Sequence, residues 1–240
     1  MGKRILAVLV ALWMLLGAYT SVLADGFEPD GDAESAYDDQ LEQMQTCTTQ
    51  DWIYTLLDDG SAMVMRYEGE ASDLTVPEAL DGHPVTAIGS FCLAAPQTLQ
   101  TVTLPGTITV LKTDAFMYCT AIAINLNSGL QTIEDTAFFG CDQLAEITIP
   151  ATVQSIGEEA FENCESLLTV TLMDGVREIK TGAFDTCEAL RDVTVPPSVH
   201  EIGENAFPIR EGFTLRVVDG SFAQAYGNAN GIAMTIISTQ

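Results

Sequence analysis

Apolar and polar positions along this chain fall into three columns that recur together. The first is a triplet reading apolar, polar, apolar: Leu74-Thr75-Val76, Val102-Thr103-Leu104, Ile124-Asn125-Leu126, Ile147-Thr148-Ile149, Val170-Thr171-Leu172, Val193-Thr194-Val195 and Leu215-Arg216-Val217. Such alternation predicts short, half-buried strands. Pro77, Pro105, Pro150 and Pro196 follow four of the triplets, and proline ends a strand because it cannot donate to the ladder. The second column pairs apolar residues three apart: Val85/Ile88, Ile108/Leu111, Leu130/Ile133, Val153/Ile156, Val176/Ile179 and Val199/Ile202. The third is a phrase containing Ala-Phe, with Cys three residues after the Phe, at Ala115-Phe116/Cys119, Ala137-Phe138/Cys141, Ala160-Phe161/Cys164 and Ala183-Phe184/Cys187. Ala206-Phe207 repeats it without the Cys, and Cys92, Leu93 and Pro96 form a degenerate earlier copy. From Phe116 onward the Phe positions step by 22, 23, 23 and 23 residues.

Three columns sharing one period predict a coil in which each turn stacks on the last. No turn can bury its apolar residues alone, so its neighbours supply the rest of the core. The predicted fold is a repeat solenoid, a single right-handed coil of short parallel strands with turns and short helical bends. Seven strands about 4.8 Å apart would span roughly 29 Å. The Phe residues should stack as one interior file, with each preceding Ala leaving room for them.

A coil must cover its terminal turns. Trp52-Ile53-Tyr54-Thr55-Leu56 and Ala62-Met63-Val64-Met65-Arg66-Tyr67 flank Asp58-Asp59-Gly60-Ser61, a pattern that predicts a hairpin at the front. At the back, Ser221 is placed to cap a short helix through Tyr226, Asn230-Gly231 to turn the chain, and Ile232 to Ile237 to form a closing strand.

The unit from Cys141-Asp142-Gln143-Leu144-Ala145-Glu146-Ile147-Thr148-Ile149-Pro150 through Val153 and Ile156 to Ala160-Phe161 resembles the BspA-type leucine-rich repeat of bacterial surface and secreted proteins. The resemblance runs from about Trp52 to the C-terminus. It implies an exported solenoid, linked with adhesion or protein binding and with no common enzymatic activity. The chain departs from the family in being short, and it shows no wall-sorting motif.

Residues 1–24 read as an export signal. Lys3 and Arg4 precede the apolar run Ile5 to Leu16, and Val22-Leu23-Ala24 offers a cleavage point. The stretch to Ala24 is also just long enough to remain as an anchor. Residues 25–50 read as an acidic linker or a short amphipathic helix, since Asp25 to Asp51 holds nine acids and no base while Ala33, Tyr37, Leu41 and Met44 fall at helical spacing. The solenoid occupies 51–240, with a front cap at 51–73, repeats at 74–218 and a back cap at 219–240. The formal net charge of −25 repels phosphate backbones and anionic lipid. It argues against nucleic acid, and against membrane insertion once the signal is cut, and it favours a cationic partner.

Candidate chemistry is sparse. Stacked cysteines would hold their Cβ atoms near the turn spacing of about 4.8 Å, whereas a disulfide needs about 3.5–4.5 Å. A column also does not converge on a metal. The Cys column is therefore read as buried thiols, with Cys47–Cys92 as the one disulfide candidate. His83 and His200 differ in repeat phase and assemble no nucleophile-base-acid set. Glu158, Glu159, Glu162, Glu165, Asp185 and Glu188 crowd the later bends without a dedicated calcium loop, so no metal or cofactor is expected.

The outward strand face is the expected recognition surface: Thr75, Thr103, Asn125, Thr148, Thr171, Thr194 and Arg216, flanked by Thr101, Glu146, Thr169 and Asp192. Early bends carry Phe91, Met117, Tyr118 and Phe139 where the later bends are polar. That suggests an apolar patch covered by a partner or by the Tyr37/Leu41/Met44 stripe. The expected function is non-catalytic binding of an unidentified protein at a cell surface or on a host. The alternatives are a structural part of a larger extracellular assembly and, less favoured for want of an aromatic row, carbohydrate binding.

Overall fold

The computed structural model describes residues 46–94 and 99–238. The expected signal and residues 25–45 of the acidic segment, with its Tyr37/Leu41/Met44 stripe, lie outside the described residues. The segment's last residues, expected as linker or helix, instead form a strand at Thr46–Thr49 that pairs onto the front hairpin. From Thr46 the chain forms the expected solenoid, built on two ladders of short parallel strands and a file of stacked rings.

All seven triplets become strands, but they do not make one ladder. β4 (Asp73–Thr75), β7 (Thr101–Thr103) and β9 (Ala123–Asn125) pair as a three-stranded sheet. β11 (Glu146–Ile149), β13 (Thr169–Leu172), β15 (Asp192–Val195), β17 (Thr214–Val218) and β18 (Ala233–Ile237) form a separate five-stranded one. The break has a cause in the repeat. The step from Phe116 to Phe138 is one residue short, and the missing residue falls between Cys119 and Ile124. There Ala121 fills the place that Leu144, Leu167 and Leu190 occupy in later turns, and all four side chains are fully buried. A shorter and slimmer turn draws the chain inward before β9. Among the described residues a single long backbone bond, from the Ala145 N–H to the Ile122 carbonyl at 3.4 Å, spans the gap just ahead of the strands.

The second column forms a ladder of its own. β6 (His83–Ile88), β8 (Val110–Leu111), β10 (Thr132–Ile133), β12 (Ser155–Ile156), β14 (Glu178–Ile179) and β16 (Glu201–Ile202) pair in parallel. The register runs Ile88, Leu111, Ile133, Ile156, Ile179, Ile202. The front hairpin forms as expected, β2 (Trp52–Leu56) antiparallel to β3 (Ala62–Tyr67). It joins this second ladder, since β3 pairs with β6 and β1 (Thr46–Thr49) adds outside β2. A further hairpin links β5 (Ala79–Leu80) to β6 through Asp81-Gly82. Both turn residues have positive φ, 50° and 87°, as a tight hairpin requires. Asp81 then accepts the Tyr54 hydroxyl at 2.8 Å, and His83 Nδ1 donates to the Gly60 carbonyl at 2.8 Å. These two bonds tie the cap to the first turn.

Inside, the rings of Phe116, Phe138, Phe161, Phe184 and Phe207 stack in one file. Successive centroids lie 5.0, 4.7, 5.2 and 5.7 Å apart, with planes within 17° of parallel. Phe213 closes it at 6.0 Å. Leu93, in the degenerate copy, is buried at the same repeat place. The bends carrying these rings are stitched along the axis: the N–H of Phe116, Phe138, Phe161 and Phe184 donates to the Ala carbonyl of the next turn at 2.8–3.0 Å. To aim the donors this way, the residue two before the Phe turns left-handed, φ 60° at Asp114, 54° at Thr136, 53° at Glu159, 64° at Gly182 and 52° at Asn205. Each non-glycine there costs about 1–2 kcal/mol, offset by the bonds it makes possible.

The Cys column is buried beneath the bends. The Sγ–H groups of Cys141, Cys164 and Cys187 donate to the carbonyls of Phe116, Phe138 and Phe161 at 3.1–3.2 Å. All six cysteines are free. The Cys47–Cys92 disulfide is therefore not formed: Cys92 is buried and Cys47 lies in β1 beside Tyr54. In the last turn Arg210 takes the Cys place, and its Nη2 donates to the carbonyls of Cys187 and Leu190 at 3.1 and 2.7 Å. At the back, Ser221 caps α1 (Phe222–Asn230), accepting from the Gln224 N–H. Gly231 ends the helix at φ 68°, and β18 follows, parallel to β17.

Phe161 touches ring neighbours on both sides. Phe161→Ala should lower unfolding free energy by about 3–5 kcal/mol. Phe161→Leu, which copies Leu93, should cost markedly less. Urea denaturation followed by far-UV circular dichroism checks both.

Candidate functional site

Alternation within the strands fixes what faces solvent. Along β11, β13, β15 and β17 the side chains of Ile147, Val170, Val193 and Leu215 point into the core, in mutual register. Thr148, Thr171, Thr194 and Arg216 therefore align on the outside as one row, extended by Thr235 of β18. Glu146, Thr169, Asp192 and Thr214 form the parallel row beside it. Five strands at about 4.8 Å spacing hold these two rows as a polar surface of mixed charge. Thr75, Thr103 and Asn125 lie on the shorter sheet, exposed and in register. The Asn125 amide donates to Thr103 Oγ1 at 3.4 Å, and Thr101 donates to Asp73 at 2.6 Å. The structure thus places Thr103 and Asn125 on a different sheet from Glu146, Thr148, Thr171, Asp192, Thr194 and Arg216.

Three exposed apolar residues border the face and were not anticipated from the pattern. Ile122 and Leu168 precede β9 and β13, with Ala145 between them, and the three are linked by backbone bonds from turn to turn. Met173 follows β13, where four other turns carry proline. Each of the three is 46% exposed. Column averages hide such residues, because these places tolerate Gln100, Ala145, Arg191 and proline equally well. A reading turn by turn could have found them.

The apolar bend residues cover one another in part. Met117, Tyr118 and Phe139 are half-buried, whereas Phe91 is 41% exposed. The Tyr118 and Phe139 rings meet edge to face at 5.6 Å. Tyr118 also lies over Gly140, where any Cβ would come within 2.5 Å of its ring.

The later bends are electrostatically loaded. Burial first, then repulsion from Glu159 and Asp185, pushes Glu162 up to about 7. Burial, and then Glu165, raises Asp142, while burial raises Asp114 against the opposing bond from Thr136. Lys112–Glu134 at 2.8 Å and Lys180–Asp135 at 3.3 Å are partly exposed ion pairs between turns. Among the described residues, no three His, Cys, Asp or Glu side chains gather as a metal site. Burial raises the Cys92, Cys119, Cys141 and Cys164 thiols, Cys119 to about 11. At Cys187 hydrogen bonding with Cys164 comes first and burial second. These thiols stay protonated at neutral pH and make weak nucleophiles. Among the described residues, no helix is long and apolar enough to cross a membrane.

Parallel ladders around a buried ring file define a β-rich repeat solenoid with a polar strand face. Residues 85–211 match the model of the BspA type leucine-rich repeat region in 6 copies, so the chain belongs to that family. Repeats of this class are typically protein-interaction modules and generally non-catalytic. The fold is similar to a leucine-rich repeat protein of T. pallidum, at 25% identity and TM-score 0.61, covering 81% of this chain and 100% of that one. It is also similar to the pneumococcal vaccine antigen PcpA, at 23% identity and TM-score 0.62, covering 73% of this chain and 50% of that one. No curated protein matches the sequence.

Between about pH 4.5 and 7 the folded Glu162 carboxyl holds a proton that the unfolded chain has released. The stability contributed by Glu162 is therefore fully present below that window, is lost as pH rises through it, and is absent above. Glu162→Gln should flatten this dependence and raise the melting temperature at pH 7.5. Glu159→Asn should act in the same direction, since it removes one repelling charge and asparagine tolerates φ near 53°. Thermal melts across a pH series check both variants.

Proposed function

We propose that the protein is an exported, non-catalytic module that binds another protein through the outward face of its five-stranded ladder. The observation that carries this reading is the placement of Leu168 and Met173. Both are 46% exposed and stand at the two ends of β13, with Thr169 and Thr171 between them. Exposed apolar side chains on a polar, rigid surface gain by burial against a partner, methionine being enriched at interfaces, and the polar residues around them exclude water once the partner is seated. Thr148, Thr171, Thr194, Arg216, Glu146 and Asp192 supply hydrogen bonds around those anchors. The short ladder extends the surface through Thr103, Asn125 and the neighbouring Ile122. A chain of net charge −25 attracts a partner of opposite sign and speeds encounter with it. Export rests on the pattern of residues 3–24, and the reading contains no catalytic step.

Leu168→Glu with Met173→Glu places charge on both anchors without touching the core. The double variant should melt as the parent does and lose at least about tenfold in affinity for the captured partner. Pull-down from cell-surface extracts followed by titration of the recovered protein is the measurement. Undiminished affinity would remove this face from the proposal.

A further inference from the structure

We propose that the protein self-associates as a two-fold dimer, by antiparallel pairing of β18 with β18 of a second copy. β18 pairs with β17 on one side and, among the described residues, with nothing on the other. Its core-facing side chain Ile236 stands in register with Val217 and, through it, with Val195. Both of those are fully buried, whereas Ile236 is 50% exposed. The ladder thus stops with a side chain of core type facing water and a row of backbone groups free to pair.

Natural sheets guard such an edge with lysine, other charges, proline or a bulge. Here none of these is present. Asp219 is the last charged side chain, and residues 220–240 hold no Asp, Glu, Lys, Arg or His. Elsewhere the chain carries 34 acids against 9 bases, so most pairs of surfaces repel when two copies meet. The uncharged edge is a place where they do not. A guard of charge is missing where an acidic protein would most easily carry one, and a second copy is the occupant that this neutrality suits.

Two-fold symmetry sets the register. A dyad at the middle residue of β18 puts Thr235 opposite Thr235, Ala233 opposite Ile237, and Met234 opposite Ile236. The two five-stranded sheets become one of ten strands, and each half-exposed Ile236 is covered by a methionine. The acidic bodies extend away from the joint on opposite sides, which separates most of their like charges, and added salt screens the repulsion that remains. One strand pair buries less than the area of a permanent dimer, which places this contact among weak, concentration-dependent ones. It uses the edge of the ladder and leaves the proposed binding face open.

Sedimentation equilibrium of the full-length protein over a concentration series tests the idea. A monomer–dimer equilibrium that tightens as sodium chloride is raised is expected, because salt screens the repulsion between the bodies. Thr235→Glu places two like charges opposite each other at the dyad and should abolish the dimer. Thr171→Glu adds the same charge to an interior strand and should leave the dimer intact. Mixing Thr235→Glu with Thr235→Lys should restore association. A monomer at every concentration overturns the proposal. So does a dimer that is insensitive to Thr235→Glu, or one that salt dissolves.

Discussion

Every other feature of this molecule depends on the sharing of one buried ring between successive turns. A segment of 22 or 23 residues folded alone would leave both faces of its phenylalanine in water. Stacked at 4.7–5.7 Å, each ring is instead covered on both faces. The gain is the burial of a large apolar side chain, plus about 0.5–1.5 kcal/mol per offset ring pair. The distance between rings is also the distance between strands in a ladder, about 4.8 Å. One spacing therefore satisfies ring contact and backbone pairing together. The alanine before each ring follows from that coincidence, because a larger side chain at that place would push the turns apart. So does the left-handed residue two positions earlier, which turns the amides of the bend toward the next turn.

Much of this was legible in the sequence because the constraint is periodic. Strand triplets, ring file and buried thiols follow from columns that repeat in phase, while the front hairpin and back cap follow from their own turn and capping residues. What escaped is where the pattern is locally ambiguous. Apolar pairs such as Leu130/Ile133 read only as a column of residues three apart, and two-residue strands are too short to show alternation, so the second ladder was not visible. Asp81-Gly82 carried a hairpin signal that the surrounding repeat obscured. Arg210 looked like a lapse in the Cys column. In the structure its guanidinium donates to two carbonyls of the preceding turn, a role that a short thiol could not fill.

The break between the two strand sheets shows how strictly length matters. One residue fewer after Cys119, with Ala121 where later turns carry leucine, leaves the ring file and the second ladder continuous while the first ladder parts. The step of 22 announced that turn, yet a periodic reading absorbed the irregularity as noise. The outward residues suffer the opposite problem. Their places are constrained only to be compatible with a strand or a turn, so threonine at Thr148 or Thr171 serves both strand formation and recognition. The candidate face was legible in position and illegible in importance. The exposed Leu168 and Met173 separate the two, because strand formation requires neither of them to be apolar and solvent contact disfavours both.

Regularity inside and irregularity outside divide the work of the chain. The interior keeps the same residue types because each turn must fit both neighbours. A change of volume at one ring is felt by two others. The exterior changes from turn to turn, and its charge accumulates because nothing in the packing opposes it. Acid upon acid along one line of bends then acts back on the fold. Glu159 and Glu162 share one bend and Asp185 sits on the next, held at ring spacing, so their repulsion cannot be relieved by moving apart. It is relieved by proton uptake at Glu162. The same ring contact that builds the core therefore sets the electrostatic cost of its surface, and a change that loosened the file would lower that cost only by sacrificing the burial that holds the turns together.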